Sequence, residues 1–544
     1  MGVCFCKDKV EAEVQTNPQV TVFPPPIPPE AISSNRDSLI SRELQWLSCA
    51  NDHNLKLLSE SVDKLVKETL DVIGKVVDNQ PETPYSMQLL HTITDKPAGW
   101  IELVRSLIRV VPVEHPMGTS VIALLLDDSP LPSKESIHEV SNMIASKTRR
   151  VSPRRERNLC AILGCLAEKL AGPTSITMLS PTTLKYLIDN LSDDVNRDVT
   201  LLSLVALDKF ALTSENKITI KRKLSEHSDN PMIHLEKFVD DDDFILRQIG
   251  FCARWCLDNY FFVENRKYSY ETVDLTKINV MLNTNDVSEY LKISPDGLEA
   301  RCDAYTFESV RCTFQITSGC WYYEVLIITP GVMQIGWATK DSHFLSTDGF
   351  GIGDDDFSIA FDGCRRLIWQ NAKSVEHELP EWHGGSILGC MLDLDTQEVV
   401  FSLNGMETKP YKDVFNKAKT GFFAAASFMS FQQCRFNFGS EPFKYPPKRS
   451  YQNFNNNATL APQDKVVLPR HLFLEKLRRI SIRDDSCTLC FDKKATIRLE
   501  PCNHRGFCSS CATQLIYCPM CRADIATKVQ EDYDSPIIED LNGT

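Results

Sequence analysis

The chain has 544 residues, a formal net charge of -14 and 42% hydrophobic residues. That length has room for roughly three or four domains, and the acidic balance argues against a whole-chain nucleic-acid binder, leaving proteins as the expected partners. No uninterrupted apolar run approaches the ~18 residues that a membrane span needs, and thirteen of the 20 cysteines lie scattered without a paired framework, as thiols do in a reducing compartment.

The first residues carry Gly2, Cys4 and Cys6. Met1-Gly2 followed by cysteines resembles a dual myristoyl and palmitoyl anchor, although the usual hydroxyl residue at the sixth position is Cys6 here. Two lipid signals give stable attachment where one does not, so the expectation is a cytoplasmic protein held peripherally at the cytosolic face of a membrane. A secretory signal fits worse, because Lys7, Asp8 and Lys9 interrupt any apolar region. Residues 1–54 read as a disordered tail with a proline-rich spacer at Pro24, Pro25, Pro26, Pro28 and Pro29.

Over residues 55–265 the periodicity is helical. Trp100, Leu103, Val104, Leu107, Ile108 and Val111 fall on one helix face. Three apolar segments, Ile162 to Ala171, Leu202 to Ala211 and Ile249 to Asn259, echo one another at a spacing of about 40 to 47 residues, the period of armadillo or HEAT repeats. An ordinary helical bundle is the alternative. Arginines at 149, 150, 154, 155 and 157 surround Ser152-Pro153 in an expected inter-helix loop, read as solvated and phosphorylatable.

Beyond about Tyr270 the pattern turns to strands with hairpin punctuation. Trp321 to Ile328 is aromatic and β-branched, Met333 to Ala338 follows Pro330-Gly331, and Phe361 and Leu367 flank Asp362-Gly363. Asn404-Gly405 is the strongest hairpin signal, since both residues tolerate positive φ. These features predict an antiparallel β-sandwich over 285–445. Trp321-Tyr322-Tyr323-Glu324-Val325, Gln334-Ile335-Gly336-Trp337-Ala338 and Gly421-Phe422-Phe423-Ala424-Ala425 resemble a SPRY domain. That resemblance implies a binding module for peptides or protein surfaces, without catalytic residues. Its candidate loops are Asp354, Asp355 and Asp356, and His343 with Phe344.

After a linker expected over 446–482, residues 483–526 hold Cys487, Cys490, Cys502, His504, Cys508, Cys511, Cys518 and Cys521, with gaps of 2, 11, 1, 3, 2, 6 and 2 residues. Zinc takes four tetrahedral thiolate or imidazole ligands, and a two-residue gap turns both thiolates of a pair onto one ion. Four such pairs imply two Zn2+, and disulfides would leave His504 without a purpose. Consecutive pairs would make two zinc ribbons. The spacing resembles instead the C3HC4 RING finger, whose interleaved pairing implies Cys487, Cys490, Cys508 and Cys511 on one zinc and Cys502, His504, Cys518 and Cys521 on the other. So small a segment folds on its metals.

A RING has no open metal position. The resemblance implies orientation catalysis: a groove of Leu489, Leu515 on an expected short helix Ala512 to Ile516, and Pro519 holds a ubiquitin-charged conjugating enzyme. Arg522 matches the cation that bridges that enzyme and ubiquitin through several hydrogen bonds. Residues 527–544 read as an acidic tail. The order of helical region, SPRY and carboxy-terminal RING resembles an animal family of RING-type ubiquitin ligases. The resemblance is carried by Pro84-Tyr85-Ser86-Met87, Leu163-Gly164-Cys165-Leu166-Ala167-Glu168-Lys169-Leu170, Asn285-Asp286-Val287-Ser288-Glu289-Tyr290-Leu291-Lys292-Ile293-Ser294 and Leu468-Pro469-Arg470-His471. A non-enzymatic zinc-binding adaptor is the alternative function.

Overall fold

A run of helices, many opened by a residue that suits a helix start, precedes two stacked sheets and a small metal-type module. The computed structural model describes residues 52–73, 83–145, 152–227, 230–343, 349–481, 487, 489, 493–513, 515–519 and 523–530. Gly2, Cys4, Cys6, the proline-rich spacer, Phe344, Cys490, Cys521, Arg522 and the tail beyond Gln530 lie outside the described residues. Residues 1–61 group apart from Val62–Thr544, and of them only the start of helix α1 (Asp52–Ile73) is described.

Helices α2 to α12 follow as Tyr85–Thr94, Pro97–Val110, Gly118–Asp128, Lys134–Ala145, Pro153–Lys169, Pro173–Met178, Pro181–Asp189, Arg197–Phe210, Ser214–Ser225, Pro231–Leu235 and Phe244–Asn259. Pro97, Pro153, Pro173, Pro181 and Pro231 stand in the first turn of their helices, where proline loses no hydrogen bond and its φ is already helical. Ser180, Asn196, Asn230 and Asp243 cap with side-chain oxygens that accept from backbone N–H groups in the first turn, satisfying donors that would otherwise be orphaned. On α3 most of the predicted face is inside, with Trp100, Leu103, Val104 and Leu107 buried and Val111 buried just beyond it, while Ile108 at its margin is half-buried. The three echoing segments fall in the carboxy-terminal parts of helices α6, α9 and α12, the first two running one or two residues past the helix end, and α9 packs against both others. Gly164 permits the close approach of α6 and α9, since a Cβ there would lie 3.3 Å from the Ala206 Cα.

Strands β1 to β15 are Leu282–Val287, Leu291–Ile293, Glu299–Cys302, Glu308–Cys312, Cys320–Ile327, Met333–Thr339, Ser358–Asp362, Leu367–Gln370, Lys373–Glu376, Ile387–Asp393, Glu398–Leu403, Met406–Glu407, Phe422–Phe428, Gln432–Asn437 and Gln452–Asn453. One sheet runs β1-β4-β13-β6-β7-β8-β9 and the other β12-β11-β10-β5-β14-β3-β2, with β15 added parallel to β5. Period-two alternation on β5 sends Trp321, Tyr323 and Val325 between the sheets, while Tyr322 packs with Met391 and Val400 in a separate cluster. Asn404 and Gly405 have φ of 49° and 84° and close the β11–β12 hairpin, the left-handed pair that a two-residue turn requires.

Two expected boundaries are corrected. Residues 446–482 are not simply a linker. Gln452 and Asn453 pair with Trp321 and Tyr322, and Phe454 is fully buried with its ring 5.4 Å from that of Trp321 and 5.9 Å from that of Trp337. A single aromatic plug carries no periodicity, so the stretch reads as linker. The acidic tail does not begin at 527 either, because strand β18 (Thr527–Gln530) pairs along β16 (Ile497–Glu500). Nor is the arginine-rich stretch wholly a solvated loop: Pro153 opens α6, and Arg157 on that helix is buried, donating to Asn158 Oδ1 at 2.5 Å.

The helices and the sandwich share a buried polar seam. Lys292 Nζ donates to Asp208 and Asp303, each at 2.8 Å, and Arg301 donates to Asp303 at 2.8 Å, to Gln248 at 3.0 Å and to Gln433 at 3.0 Å. Arg247 pairs with Glu299 at 2.7 Å, and Ser120 Oγ donates to the Ser430 carbonyl at 2.8 Å. Burial alone would push the Lys292 ammonium down, but the two carboxylates outweigh it and hold it well above its ordinary value. Burial likewise opposes the Asp303 charge, and Arg301 and Lys292 overcome it to hold that carboxyl well below the usual range.

Candidate metal centre

A three-stranded antiparallel sheet, β17 (His504–Phe507) beside β16 beside β18, frames the carboxy-terminal module. Among the described residues, Ile497, Leu499 and Phe507 are its large buried apolar side chains, clustered with Ala512 and with Cys518 itself. So few large side chains make a meagre core, which is the usual reason for a metal in a small domain. The β16–β17 connection turns at Asn503, whose φ is 56°. Arg498 ties this turn down, donating to Glu500 at 2.9 Å and to Asn503 at 2.5 Å.

That turn sets Cys502 and His504 on the same side as Cys518. The ligand atoms of Cys502, His504 and Cys518 all lie within 4.8 Å of one another, and so do those of Cys487, Cys508 and Cys511. Cys518 Sγ stands 3.5 Å from His504 Nδ1, close to the edge of about 3.6 Å that a tetrahedron with Zn–S of about 2.3 Å and Zn–N of about 2.0–2.1 Å implies. The donor set and its spacing fit zinc. The Cys511 amide donates to Cys508 Sγ at 3.4 Å, the Cys518 amide to the Ala523 carbonyl at 2.8 Å, and the Cys487 amide to the Lys493 carbonyl at 2.8 Å. These thiols are thus held by turns of their own. The grouping brings together residues far apart in sequence, Cys487 with Cys508 and Cys511, which consecutive pairing would not do. Cys490 and Cys521, the remaining expected ligands, lie outside the described residues.

The expected helix Ala512 to Ile516 is displaced. Helix α13 (Arg470–Ser481) precedes the module, and the module's own helix, α14, covers Ser509–Thr513. It begins at once after Cys508 because the Cys508–Cys511 knuckle is its first turn, and the chain leaves it through a Leu515 N–H to Ala512 carbonyl bond at 3.1 Å. Leu515 therefore packs partly buried against the module's core. Leu489 is 44% exposed and Pro519 is exposed, while Ile516 and Tyr517, which sequence reasoning missed, are 72% and 59% exposed. The signal that would have found them is the helix end: once α14 stops at Thr513, Leu515 and Ile516 point in different directions.

On the sandwich, the acidic triplet is not a free patch. Asp355 accepts from Ser342 Oγ at 2.6 Å, His343 N at 3.2 Å, Phe357 N at 2.8 Å and Ser358 Oγ at 2.8 Å, so it organises the loop from inside. Asp354 accepts from the Gly351 amide at 2.8 Å, and burial pushes its carboxyl up to about 6. Among the described residues, no helix is long and apolar enough to cross a membrane.

The family described as SPRY domain matches residues 320–441, and that described as zinc finger, C3HC4 type (RING finger), matches residues 483–528. The chain thus carries a SPRY β-sandwich and a RING-type zinc finger behind a helical region. It is 39% identical over 142 residues to the E3 ubiquitin-protein ligase RKP of Arabidopsis thaliana, covering 26% of this chain and 11% of that protein. It is 28% identical over 188 residues to the ATP-dependent RNA helicase DDX1 of Xenopus laevis, covering 34% of this chain and 24% of that protein. The chain therefore spans well under two thirds of either relative. Two solved structures show a likeness at a TM-score of 0.25. They are the SPRY domain of human HERC1, at 15% identity over 28% of this chain and 96% of that one, and the TRIM65 PSpry domain, at 16% identity over 29% and 90%. The sandwich assignment rests on strand order and the family match rather than on these.

Proposed function

We propose that this chain is a RING-type ubiquitin ligase that binds a ubiquitin-charged conjugating enzyme through its zinc module and a protein substrate through its SPRY sandwich. The observation that carries the reading is the pair of interleaved ligand groups, Cys487 with Cys508 and Cys511, and Cys502 with His504 and Cys518. In this reading Cys490 and Cys521 complete two closed Zn2+ sites. Closed sites offer no position for water or substrate, so the zinc supplies shape and not a reactive centre.

The chain's own work is to hold a reactive thioester in place, and orientation of this kind is worth several orders of magnitude in rate. Leu489 and Pro519, with Leu515 behind them, form the apolar seat for the conjugating enzyme, and Ile516 extends it. Arg522 bridges that enzyme to ubiquitin, for which a planar guanidinium with several donors is suited. A substrate lysine is the nucleophile, and no covalent intermediate forms on this chain. The stacked helices α6, α9 and α12 act as an armadillo-like scaffold. Gly2, Cys4 and Cys6 attach the chain by lipid to the cytosolic face of a membrane.

The deciding experiment is ubiquitin discharge from a panel of charged conjugating enzymes, comparing the full chain with Arg522→Ala at matched zinc content. Discharge that depends on Arg522 supports a ligase and identifies its partner enzyme. No discharge across the panel with zinc bound replaces the reading with that of a zinc-binding adaptor.

A further inference from the structure

Helix α10 and the start of α13 border a small cationic concavity. Its volume is about 320 Å3, and its walls are Lys217, Ile218 and Lys221 of α10, Phe262 and Tyr268 beyond α12, and His471 of α13. Lys217 and Lys221 stand one turn apart and so share a helix face, with Ile218 beside them 69% exposed. The aromatic wall is preformed. The Phe262 and Tyr268 rings stack at 4.3 Å, and the Tyr268 hydroxyl lies 3.4 Å from His471 Nε2.

The charge of this concavity is uncompensated. Among the described residues, neither Lys217 nor Lys221 has a carboxylate partner. Lys217 Nζ lies over the Tyr260 ring at 5.4 Å and donates to the Asn259 carbonyl at 3.5 Å. Burial and then the Lys221 ammonium pull Lys217 below its ordinary value, and burial and then Lys217 lower His471 in the same way. The carboxylate in the wall, Asp258, is buried and already taken by Arg266 at 2.7 Å, while Glu475 stands one turn beyond His471 on α13 and outside the wall. Like charges one turn apart repel, so an anion placed between these lysines relieves both.

A segment of matching chemistry stands in the same chain. Residues 531–544 follow strand β18 and carry Glu531, Asp532, Asp534, Glu539 and Asp540 with no lysine or arginine. Ile537 and Ile538 lie between those acids, giving an apolar pair flanked by carboxylates, the complement of Ile218 and an aromatic wall rimmed by two lysines. The stretch also has the reach. Extended, it spans up to about 46–50 Å, whereas α13, which leads from the concavity towards the zinc module, is about 18 Å long. Tethering gives such a segment an effective concentration of the order of millimolar.

We infer that the acidic stretch 531–544 docks in this concavity, with Glu539 and Asp540 on Lys217 and Lys221 and with Ile537 and Ile538 against Ile218, Phe262 and Tyr268. The zinc module is entered from this concavity through α13 and is tied back to it beyond its last strand, so the docked stretch is a strap that restrains the module. The strap is read by cross-linking and binding, and it does not depend on the ligase reading.

The test treats the full zinc-loaded chain, at low protein concentration, with a carbodiimide, which joins a lysine amine to a touching carboxylate with loss of water. Mass spectrometry then maps the links. The expected product is a monomer with Lys217 or Lys221 joined to Glu539 or Asp540. A synthetic peptide of residues 531–544 binds at least tenfold more tightly to the full-length Glu539→Gln, Asp540→Asn variant than to the wild type, whose own stretch blocks the concavity. That gain is lost when Lys217→Ser and Lys221→Ser, both on the outer face of α10, are added. The inference is overturned if neither lysine is linked to the stretch. It is overturned equally if the peptide binds both chains alike, since the concavity then stands open to an acidic segment of another protein, or if the links join two chains, since it then takes the stretch of a second copy.

Discussion

Removing Cys518 distinguishes interleaved from consecutive zinc ligation. Both schemes contain one site of four thiolates and one of three thiolates with His504, but they assign Cys518 differently. Its Sγ lies 3.5 Å from His504 Nδ1 and groups with Cys502, so Cys518→Ala strips a ligand from the histidine-containing site. Structural zinc is bound with about 10–16 kcal/mol. One of four ligands then carries on the order of 3–4 kcal/mol, a fall in affinity of roughly 10²–10³. The assay is cobalt substitution of the full chain, with ligand-field bands read for each site and metal content measured per chain. The expected Cys518→Ala protein keeps one ion with an all-thiolate spectrum, while Cys487→Ala keeps one ion with the mixed thiolate–imidazole spectrum. Hydrogen exchange at the Ile525 and Ala526 amides, which bond to the Ile516 and Glu500 carbonyls, accelerates in the first variant. The opposite assignment of spectra to variants, with the mixed site surviving loss of Cys518, refutes the reasoning.

Asp303→Asn leaves Lys292 and Arg301 buried with one carboxylate fewer, and a broken buried ion pair costs about 3–5 kcal/mol; a urea-midpoint change equivalent to less than about 1 kcal/mol contradicts the account of the seam. Asp354 has its folded pKa raised to about 6, so the stability it contributes is full below its unfolded value near 3.9 and is lost as pH rises through 6. The loss is of the order of 2 kcal/mol, and thermal unfolding of Asp354→Asn between pH 4 and pH 7 lacks it; identical pH profiles for the two proteins count against burial as the cause. Leu489→Ala and Ile516→Ala, both at exposed positions, change stability by less than about 0.5 kcal/mol yet lower ubiquitin discharge at least tenfold, and unchanged discharge removes these residues from the proposed seat.

The zinc module and the sandwich hairpins were readable because their signals are local. Ligand chemistry and short gaps identify Cys502, His504 and Cys518 before any fold is known, and only glycine or asparagine readily takes the φ values found at Asn404 and Gly405. What escaped was set at a distance. The Phe454 plug and the β18 pairing at Thr527 each depend on a partner that no window of sequence contains. The seam is the clearest case. On β3 the run Glu299, Ala300, Arg301 and Cys302 is buried at all four positions, whereas charged residues on a strand are read by default as its solvated face. Arg301 is tolerable inside only because Gln248, a helical residue 53 positions earlier, and Gln433, 132 positions later, accept from it while Asp303 neutralises it. Lys292 in turn borrows Asp208 from 84 positions upstream. A boundary drawn between helical and β regions by periodicity therefore cuts through a polar core that the two regions share, and disrupting either half exposes the unpaired charges of the other.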